Sequence, residues 1–488
     1  MQALIIGAGI GGIATAIRLA VGGYRVQVFE SASQPGGKLA ERRFGGYRFD
    51  AGPSLFTLPG QVDELFRLAG REPADYFRYE ALPVITRYFY PDGTRIDAHR
   101  DPGDFAREIE TQTGEPRGHV QRLLDKSREL YDITAHVFLY RSLHRLSTYL
   151  RRDTWRSIMR LHRLDAFRTM HAANAGFFND ARVVQLFDRY ATYNGSDPYQ
   201  APATLNVIPH LEHNIGAYFP RGGMYEITRS LYQLACDLGV QFHFDSPVQE
   251  ILTSGRRVRG LRVGGTEIAA DVVVSNADIV PTYRRLLPGH RAPERILRQP
   301  RSSSALIFYW GVAGTFPVLD VHNIFFSGDY AGEFRQLWQE QGLSDDPTVY
   351  LYVSAKREAG DAPSGCENWF VMVNAPCNTG QDWEVLIARA RQRILDKLST
   401  MLGTDLAPLI VGEEVLDPRS IESRTSSYQG ALYGNSSNNR FAAFLRHANF
   451  TSKIGGLYFC GGSVHPGGGI PLCLLSARIV SELAGKAT

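Results

Sequence analysis

The sequence predicts an α/β protein in which two discontinuous domains share one chain. Three observations support this prediction. The chain has 488 residues, which is more than one domain usually contains. Short apolar strands alternate with helical patterns at both ends and in the middle of the chain. The first strand, at 3–6, runs through a glycine-rich turn into a helix at 13–20, and a second strand at 24–30 completes a βαβ unit.

The later elements follow the same logic of apolar runs bounded by turn residues. Further strands are predicted at 84–90, 94–98, 248–251, 258–263, 267–277, 304–312, 349–353, 368–375 and 457–460. Residues 103–190 are mostly helical in pattern, and a closing helix is predicted at 471–484. Because nucleotide-type elements recur at both ends and in the middle, we divide the chain into a first domain, 1–75, 215–290 and 450–488, and a second domain, 76–214 and 291–449.

Composition excludes several classes of protein. Lysine and arginine total 53 and aspartate and glutamate total 50, so the net charge of +3 excludes a general nucleic-acid scaffold. The five cysteines are scattered without a C-x-x-C pair, which argues against a disulfide framework and a structural metal site. No uncharged apolar stretch reaches membrane-spanning length. We therefore expect a cytoplasmic protein that is soluble or peripherally bound to a membrane.

A glycine pattern at the N-terminus predicts a dinucleotide site. Gly7, Gly9 and Gly12 form G-x-G-x-x-G between a strand and a helix, which is the context this motif requires. Gly7 allows the tight turn, Gly9 lets a pyrophosphate approach the backbone, and Gly12 lets helix and strand pack closely. Glu30 ends the second strand, where its carboxylate can bind the hydroxyls of an adenosine ribose.

The next segments distinguish flavin from nicotinamide binding. Pro35-Gly36-Gly37-Lys38 and then Asp50-Ala51-Gly52-Pro53-Ser54 follow Glu30. In these segments the sequence resembles the FAD-dependent amine oxidases and carotenoid desaturases. The resemblance implies a Rossmann-like FAD-binding domain of the glutathione-reductase and amine-oxidase type, with an inserted substrate domain of mixed sheet and helices. It implies flavin contacts from Gly37, Lys38, Gly52, Pro53 and Ser54, with Lys38 also able to offset phosphate charge.

Three further segments, 217–224, 270–278 and 461–471, are similar to the phytoene-desaturase branch of this family. Residues 53–59 and 193–199 are most similar to desaturases that act on 1-hydroxylated carotenoid ends. Pro471 stands in the first turn of the closing helix, whose N-terminus can stabilise a reduced flavin. The resemblance implies further cofactor contacts from Val248, Gly461, Gly462, Gly469, Ile470 and Pro471.

The resemblance implies non-covalent FAD, a linear carotenoid substrate, hydride transfer to flavin N5, and quinone or oxygen as the electron acceptor. A cation beside a polyene is spread over many carbons, so the neighbouring C–H bond is acidic and needs no strong base. Asp153 is the candidate weak acid or base, although a helix-capping role explains it as well. His465 is interpreted as a loop residue rather than a catalytic base.

The segment 141–168 predicts contact with a lipid surface. It contains eight arginines against two aspartates, interleaved with leucine, tyrosine and tryptophan. A basic amphipathic helix of this kind is typical of interfacial membrane anchors, and a carotenoid must be collected from lipid. The alternative is a helix that packs its apolar face on its own domain.

Other functions remain compatible with the same motifs. A reduced-flavin carotenoid isomerase would share all of them. A flavin amine oxidase would share the FAD half but needs an aromatic cage, which the sequence does not reveal. A non-enzymatic isoprenoid-lipid-binding protein on the same fold would not need the intact glycine segments.

Overall fold

The computed structural model describes residues 1–150, 152–160, 163–439 and 442–487. In these residues the strands are β1 (Gln2–Ile6), β2 (Arg25–Phe29), β3 (Glu41–Phe44), β4 (Tyr47–Asp50), β5 (Phe56–Thr57), β6 (Tyr79–Ala81), β7 (Val84–Phe89), β8 (Arg95–His99), β9 (Ala217–Pro220), β10 (Gln241–His243), β11 (Val248–Ser254), β12 (Arg257–Val263), β13 (Thr266–Ala269), β14 (Val272–Ser275), β15 (Ser304–Ala313), β16 (His322–Phe325), β17 (Val349–Tyr352), β18 (Cys366–Ala375), β19 (Ile410–Leu416) and β20 (Leu457–Phe459).

The α-helices of the described residues surround these strands. They are α1 (Ile10–Val21), α2 (Gly60–Leu68), α3 (Pro102–Thr113), α4 (Arg117–Thr134), α5 (Leu146–Tyr149), α6 (Arg152–Met159), α7 (Met170–Phe177), α8 (Ala181–Asp188), α9 (Tyr225–Asp237), α10 (Ile279–Pro281), α11 (Glu294–Leu297), α12 (Tyr330–Trp338), α13 (Trp383–Leu402), α14 (Pro418–Thr425), α15 (Ala442–Leu445) and α16 (Ile470–Ala484). None of the described helices is long and apolar enough to cross a lipid bilayer.

A five-stranded parallel sheet brings both ends of the chain together. Its strand order is β10-β2-β1-β14-β20, so strands from the start, the middle and the end of the chain are neighbours. Apolar residues of α1, α9 and α16 pack with its strands in one buried cluster. The predicted α/β fold class is confirmed. Helix α1 begins three residues earlier than predicted, because the chain turns directly from extended Gly9 into the helix.

The predicted single strand at 267–277 is wrong, because this stretch divides between two sheets. β13 pairs with β12 in a small antiparallel sheet, whereas β14 enters the parallel sheet beside β1. Asp271 makes the transition: its backbone N–H donates to the carbonyl oxygen of Gln2, and its carboxylate accepts from the Gln2 N–H at 2.7 Å. These two bonds fix the point at which the chain leaves one sheet and joins the other.

The second large sheet has seven strands and is mixed. Its order is β19-β15-β18-β17-β16-β7-β8, and it contains the predicted hairpin and the three predicted apolar strands. One face packs on α13 through a cluster that includes Trp310, Trp369 and Trp383. Side chains on its other face line a large cavity. The proposed domain boundaries stay a prediction. Strand β6, which these boundaries place in the second domain, pairs with β9 of the first domain.

Candidate functional site

One cavity of about 1560 Å³ runs between the two large sheets. The predicted cofactor residues that line it are Gly7, Gly9, Glu30, Gly37, Lys38, Gly52, Pro53, Ser54, Val248, Gly461, Gly462, Gly469, Ile470 and Pro471. Gly12 lies directly behind this wall: a Cβ on Gly12 would stand 2.0 Å from the carbonyl oxygen of Gly7. The structure therefore gathers segments that are more than 400 positions apart into one site.

Close backbone contacts join these segments. A Cβ on Gly37 would lie 3.3 Å from the Cα of Gly9, and one on Gly52 would lie 1.8 Å from the carbonyl oxygen of Lys38. A Cβ on Gly11 would lie 3.3 Å from the Cα of Gly461. A Cβ on Gly52 would collide with backbone, and one on Gly37 or Gly11 would force the neighbouring backbone to shift by a few tenths of an ångström. The resulting wall exposes backbone rather than side chains along one side of the cavity.

Glu30 lies on this wall beside the dinucleotide turn. Its carboxylate accepts hydrogen bonds from the backbone N–H of Ala8 at 2.6 Å and of Ala32 at 2.9 Å. Val248, at the start of β11, is half-buried and lines the cavity with Glu30. The acid at the end of β2 is thus fixed at the edge of the dinucleotide turn, where its remaining lone pairs can accept hydroxyl groups.

Two helix N-termini meet the cavity. Gly9 and Ile10 line it where α1 begins, and Gly469, Ile470 and Pro471 line it where α16 begins. The N–H groups of a helix's first turn are not used within the helix, and the helix dipole makes that end positive. Both ends can therefore stabilise negative charge, one at the dinucleotide turn and one at the glycine-rich loop 461–469.

Lys38 is anchored away from the dinucleotide turn. Its Nζ donates to the carbonyl oxygens of Ala431 at 3.1 Å and Leu432 at 2.8 Å. Burial lowers the pKa of Lys38, although Asp278 opposes this effect. These bonds connect the cofactor wall to Ala431 and Leu432, of which Leu432 lines the same cavity.

Two predicted roles concern side chains that could carry protons. Asp153 lies in α6, and its side chain is outside the described residues, so its catalytic role stays a prediction. His465 is buried, its Nε2 lies 2.7 Å from the carbonyl oxygen of Arg141, and burial lowers its pKa to about 4. His465 also lines the cavity, so the non-catalytic loop role that the sequence favoured stays a prediction.

Sequence reasoning missed a buried polar cluster on the cavity wall. Arg189 Nη2 lies 3.0 Å from Glu212 Oε1, and the guanidinium stacks over Tyr88, Tyr190 and Tyr193 at 4.5–5.2 Å. Burial alone would raise the pKa of Glu212, but Arg189 holds it below its usual value. The paired charges leave this part of the cavity without net charge. In the sequence, this cluster is indicated only by aromatic residues around Arg189, and such a pattern is also common in ordinary protein cores.

The remaining cavity wall is largely apolar. The second sheet contributes alternate residues that face one side, including Ile307, Ile324, Phe370 and Met372. Leu205, Ile208 and Leu211 contribute from the chain that follows α8. The arrangement combines a glycine-lined wall suited to a dinucleotide with a long apolar compartment suited to a hydrocarbon. The glycine-lined wall fits FAD, whose pyrophosphate needs close approach to the backbone.

Comparisons with known proteins agree with this geometry. The model of the flavin-containing amine oxidoreductases matches residues 10–484. The chain is 48% identical to a 1-hydroxycarotenoid 3,4-desaturase from Flavobacterium over 99% of this chain and 98% of that protein. It is 33% identical to a 4,4'-diapolycopene oxygenase from Methylomonas over 99% and 97% of the two chains.

Solved structures share the fold. A redesigned putrescine oxidase aligns with a TM-score of 0.64 at 15% identity, covering 99% of this chain and 98% of that one. A cyclohexylamine oxidase from Brevibacterium oxydans aligns with a TM-score of 0.62 at 14% identity and the same coverage. With the family match over nearly the whole length, the chain belongs to the flavin-containing amine oxidoreductase family and is an FAD-dependent oxidoreductase.

Proposed function

We propose that this enzyme is a carotenoid desaturase that introduces C=C bonds into a linear carotenoid carrying a hydroxyl group at carbon 1. The observation that carries the proposal is the apolar compartment that continues directly from the glycine-lined wall. Its lining is largely apolar, as a polyene hydrocarbon requires, and the charged pair of Arg189 and Glu212 on its wall is neutral overall. The 48% identity to a 1-hydroxycarotenoid 3,4-desaturase supports the same substrate class.

The residues of the chain orient the substrate and keep water out. Ile324 and Met372 on the sheet face, and Leu205 from the chain after α8, line the same cavity as the segment Gly52–Ser54. In this proposal they hold the rod-shaped polyene beside that segment. When bound, FAD supplies the acceptor for the hydride that leaves the polyene. The accompanying proton leaves a carbon next to a delocalised cation, so no strong base is required of the protein. Correct placement is therefore the main contribution of these side chains.

We also propose that the enzyme loads its substrate from the inner face of the cell membrane. Residues 138–140, 143, 164 and 166–167 line the cavity, so the predicted anchor segment borders its apolar compartment. Four large apolar side chains are exposed in this segment: Leu150 by 81%, Trp155 by 57%, Met159 by 69% and Phe167 by 87%. Leu143 and Leu164 of the same segment are buried, so the segment packs on the protein through some apolar residues while it exposes others. Exposed apolar side chains on a basic segment support insertion into a lipid surface.

The function is tested by adding the purified, FAD-loaded enzyme to vesicles that contain a 1-hydroxylated linear carotenoid. We expect a product that is two hydrogens lighter, with its absorption shifted to longer wavelength. Running the reaction with a quinone under anaerobic conditions, and with oxygen alone, identifies the electron acceptor.

Other products would contradict the proposal in distinct ways. A product of unchanged mass would indicate an isomerase, and one that gains oxygen would indicate an oxygenase like the relative from Methylomonas. Tight binding of the carotenoid without any conversion, under both acceptors, would indicate a lipid-binding protein.

A further inference from the structure

Three polar side chains form a connected row of hydrogen bonds on the wall of the apolar compartment. Ser54 Oγ lies 2.7 Å from Tyr350 Oη, and Tyr350 Oη lies 2.8 Å from His322 Nδ1. All three residues line the cavity, beside apolar Ile324 and Phe370. Burying polar groups beside apolar side chains costs free energy unless each group has a hydrogen-bond partner. The row is therefore expected to have a function.

The protonation of His322 gives this row a direction. Burial lowers the pKa of His322 to about 3, so its ring is neutral and carries a single N–H. Nδ1 has an acceptor in Tyr350 Oη, whereas Nε2 is buried and has no partner among the described residues. The proton therefore belongs on Nδ1, because a buried N–H without an acceptor is rarely tolerated.

The direction leaves one donor free at the far end. With His322 Nδ1–H donating to Tyr350 Oη, the Tyr350 O–H donates to Ser54 Oγ. The hydroxyl hydrogen of Ser54 then has no acceptor in this row. Ser54 is half-buried and has no other hydrogen-bond partner among the residues that the structure describes. Its O–H group is thus available to a molecule in the cavity.

We propose, building on the function proposed above, that Ser54 Oγ binds the hydroxyl group of the polyene end and that Tyr350 and His322 position it. The place of Ser54 in the chain supports this. It directly follows Gly52 and Pro53 of the cofactor wall, so a group bound to it lies close to the reacting bond. In a polyene hydroxylated at carbon 1, only three covalent bonds separate the oxygen from carbon 3, so the recognised and reacting atoms must be close.

The test compares two linear polyenes that differ only in the hydroxyl at carbon 1. Both binding, from the change in polyene absorption, and turnover are measured with FAD-loaded enzyme. We expect wild type to prefer the hydroxylated polyene, and Ser54→Ala to lower that preference about five- to tenfold, the scale of one neutral hydrogen bond. The preference is the ratio between the two polyenes in affinity and in kcat/KM, so an effect on FAD, which both polyenes share, does not change it. Ser54→Thr keeps a hydroxyl and is expected to keep the preference.

A second variant tests the positioning residues. Tyr350→Phe leaves Ser54 in place but removes the link to His322, so we expect a smaller loss of preference with normal flavin absorbance. Thr57→Val is the matched control, since it removes a hydroxyl from the same cavity wall outside this row. We expect it to keep the wild-type ratio between the two polyenes.

Separate outcomes would contradict the two proposals. If wild type binds both polyenes equally, or if Ser54→Ala keeps the wild-type ratio, Ser54 is not the hydroxyl site, even where desaturation is observed. If wild type converts neither polyene but binds the hydroxylated one more tightly in a Ser54-dependent manner, the hydroxyl site stands and the desaturase function fails.

Discussion

Glu30 is the residue on which we expect FAD affinity to depend most directly, through its carboxylate. Glu30→Gln keeps the shape of the side chain but removes the charge that accepts from Ala8 and Ala32. We expect FAD affinity to fall about 10- to 100-fold, which corresponds to roughly 1.5–3 kcal/mol for hydrogen bonds to a charged group. Fluorescence titration of the apoprotein with FAD measures it. Glu267→Gln, on exposed β13, is the control, and equal affinity of the two variants would contradict a role for Glu30.

A buried histidine makes stability depend on pH. Burial lowers the pKa of His447 to about 4, against about 6.5 in an unfolded chain. Between these values the unfolded chain binds a proton that the folded chain excludes, so the free energy of unfolding falls as pH falls. We expect wild type to lose on the order of 1–2 kcal/mol more than His447→Gln between pH 7 and pH 5. Urea unfolding at both pH values measures the difference, and equal losses would contradict it.

At the scale of one element, α6 is expected to control binding to lipid. Trp155 and Met159 are four positions apart and therefore lie on one face of the helix. Replacing both by Ser removes apolar surface, so we expect binding to anionic vesicles to weaken about 30-fold, or roughly 2 kcal/mol, at low and at high salt. Arg160→Gln should weaken it at low salt only, because salt screens this attraction.

The control for this prediction is Val411→Ser, which removes an equally exposed apolar side chain from β19. We expect it to bind vesicles as wild type does. Sedimentation with vesicles measures all three variants, and flavin absorbance shows that each is folded. Wild-type binding by the Trp155 and Met159 double variant would mean that the substrate enters elsewhere.

The elements also show which features a sequence can reveal. The strand–glycine–helix unit of β1 and α1 was predictable because its steric requirement lies within neighbouring residues, as the contact between Gly12 and Gly7 illustrates. The division of 267–277 between two sheets was not predictable, because it depends on the pairing of Asp271 with Gln2 at the start of the chain. The row from Ser54 to His322 joins positions 296 and 28 residues apart. No local pattern encodes it, although a histidine within an apolar strand is a partial signal.

At the scale of the whole molecule, FAD is expected to hold the two chain ends together. The turn at 7–12 and the loop at 461–469 contribute residues to the same cavity wall, so FAD bound at the predicted residues would contact both. A ligand that binds only the folded state stabilises it by about 2.7 kcal/mol at 100 times its dissociation constant. We therefore expect removal of FAD to lower the Tm and expose the 461–469 loop to protease, and re-addition to reverse both. An apoprotein as stable as the holoprotein would contradict this.

The separation between the glycine-lined wall and the sheet face has an evolutionary consequence. The wall is backbone drawn from both ends of the chain, whereas the sheet face consists of side chains at alternate positions of β16, β17 and β18. Exchanging Ile324 or Met372 changes the shape of the apolar compartment without altering any glycine of the predicted dinucleotide wall. New substrate ranges can therefore arise by drift at a few strand positions while the redox machinery is inherited intact. A mutant library restricted to those positions would diversify pigments at constant flavin content.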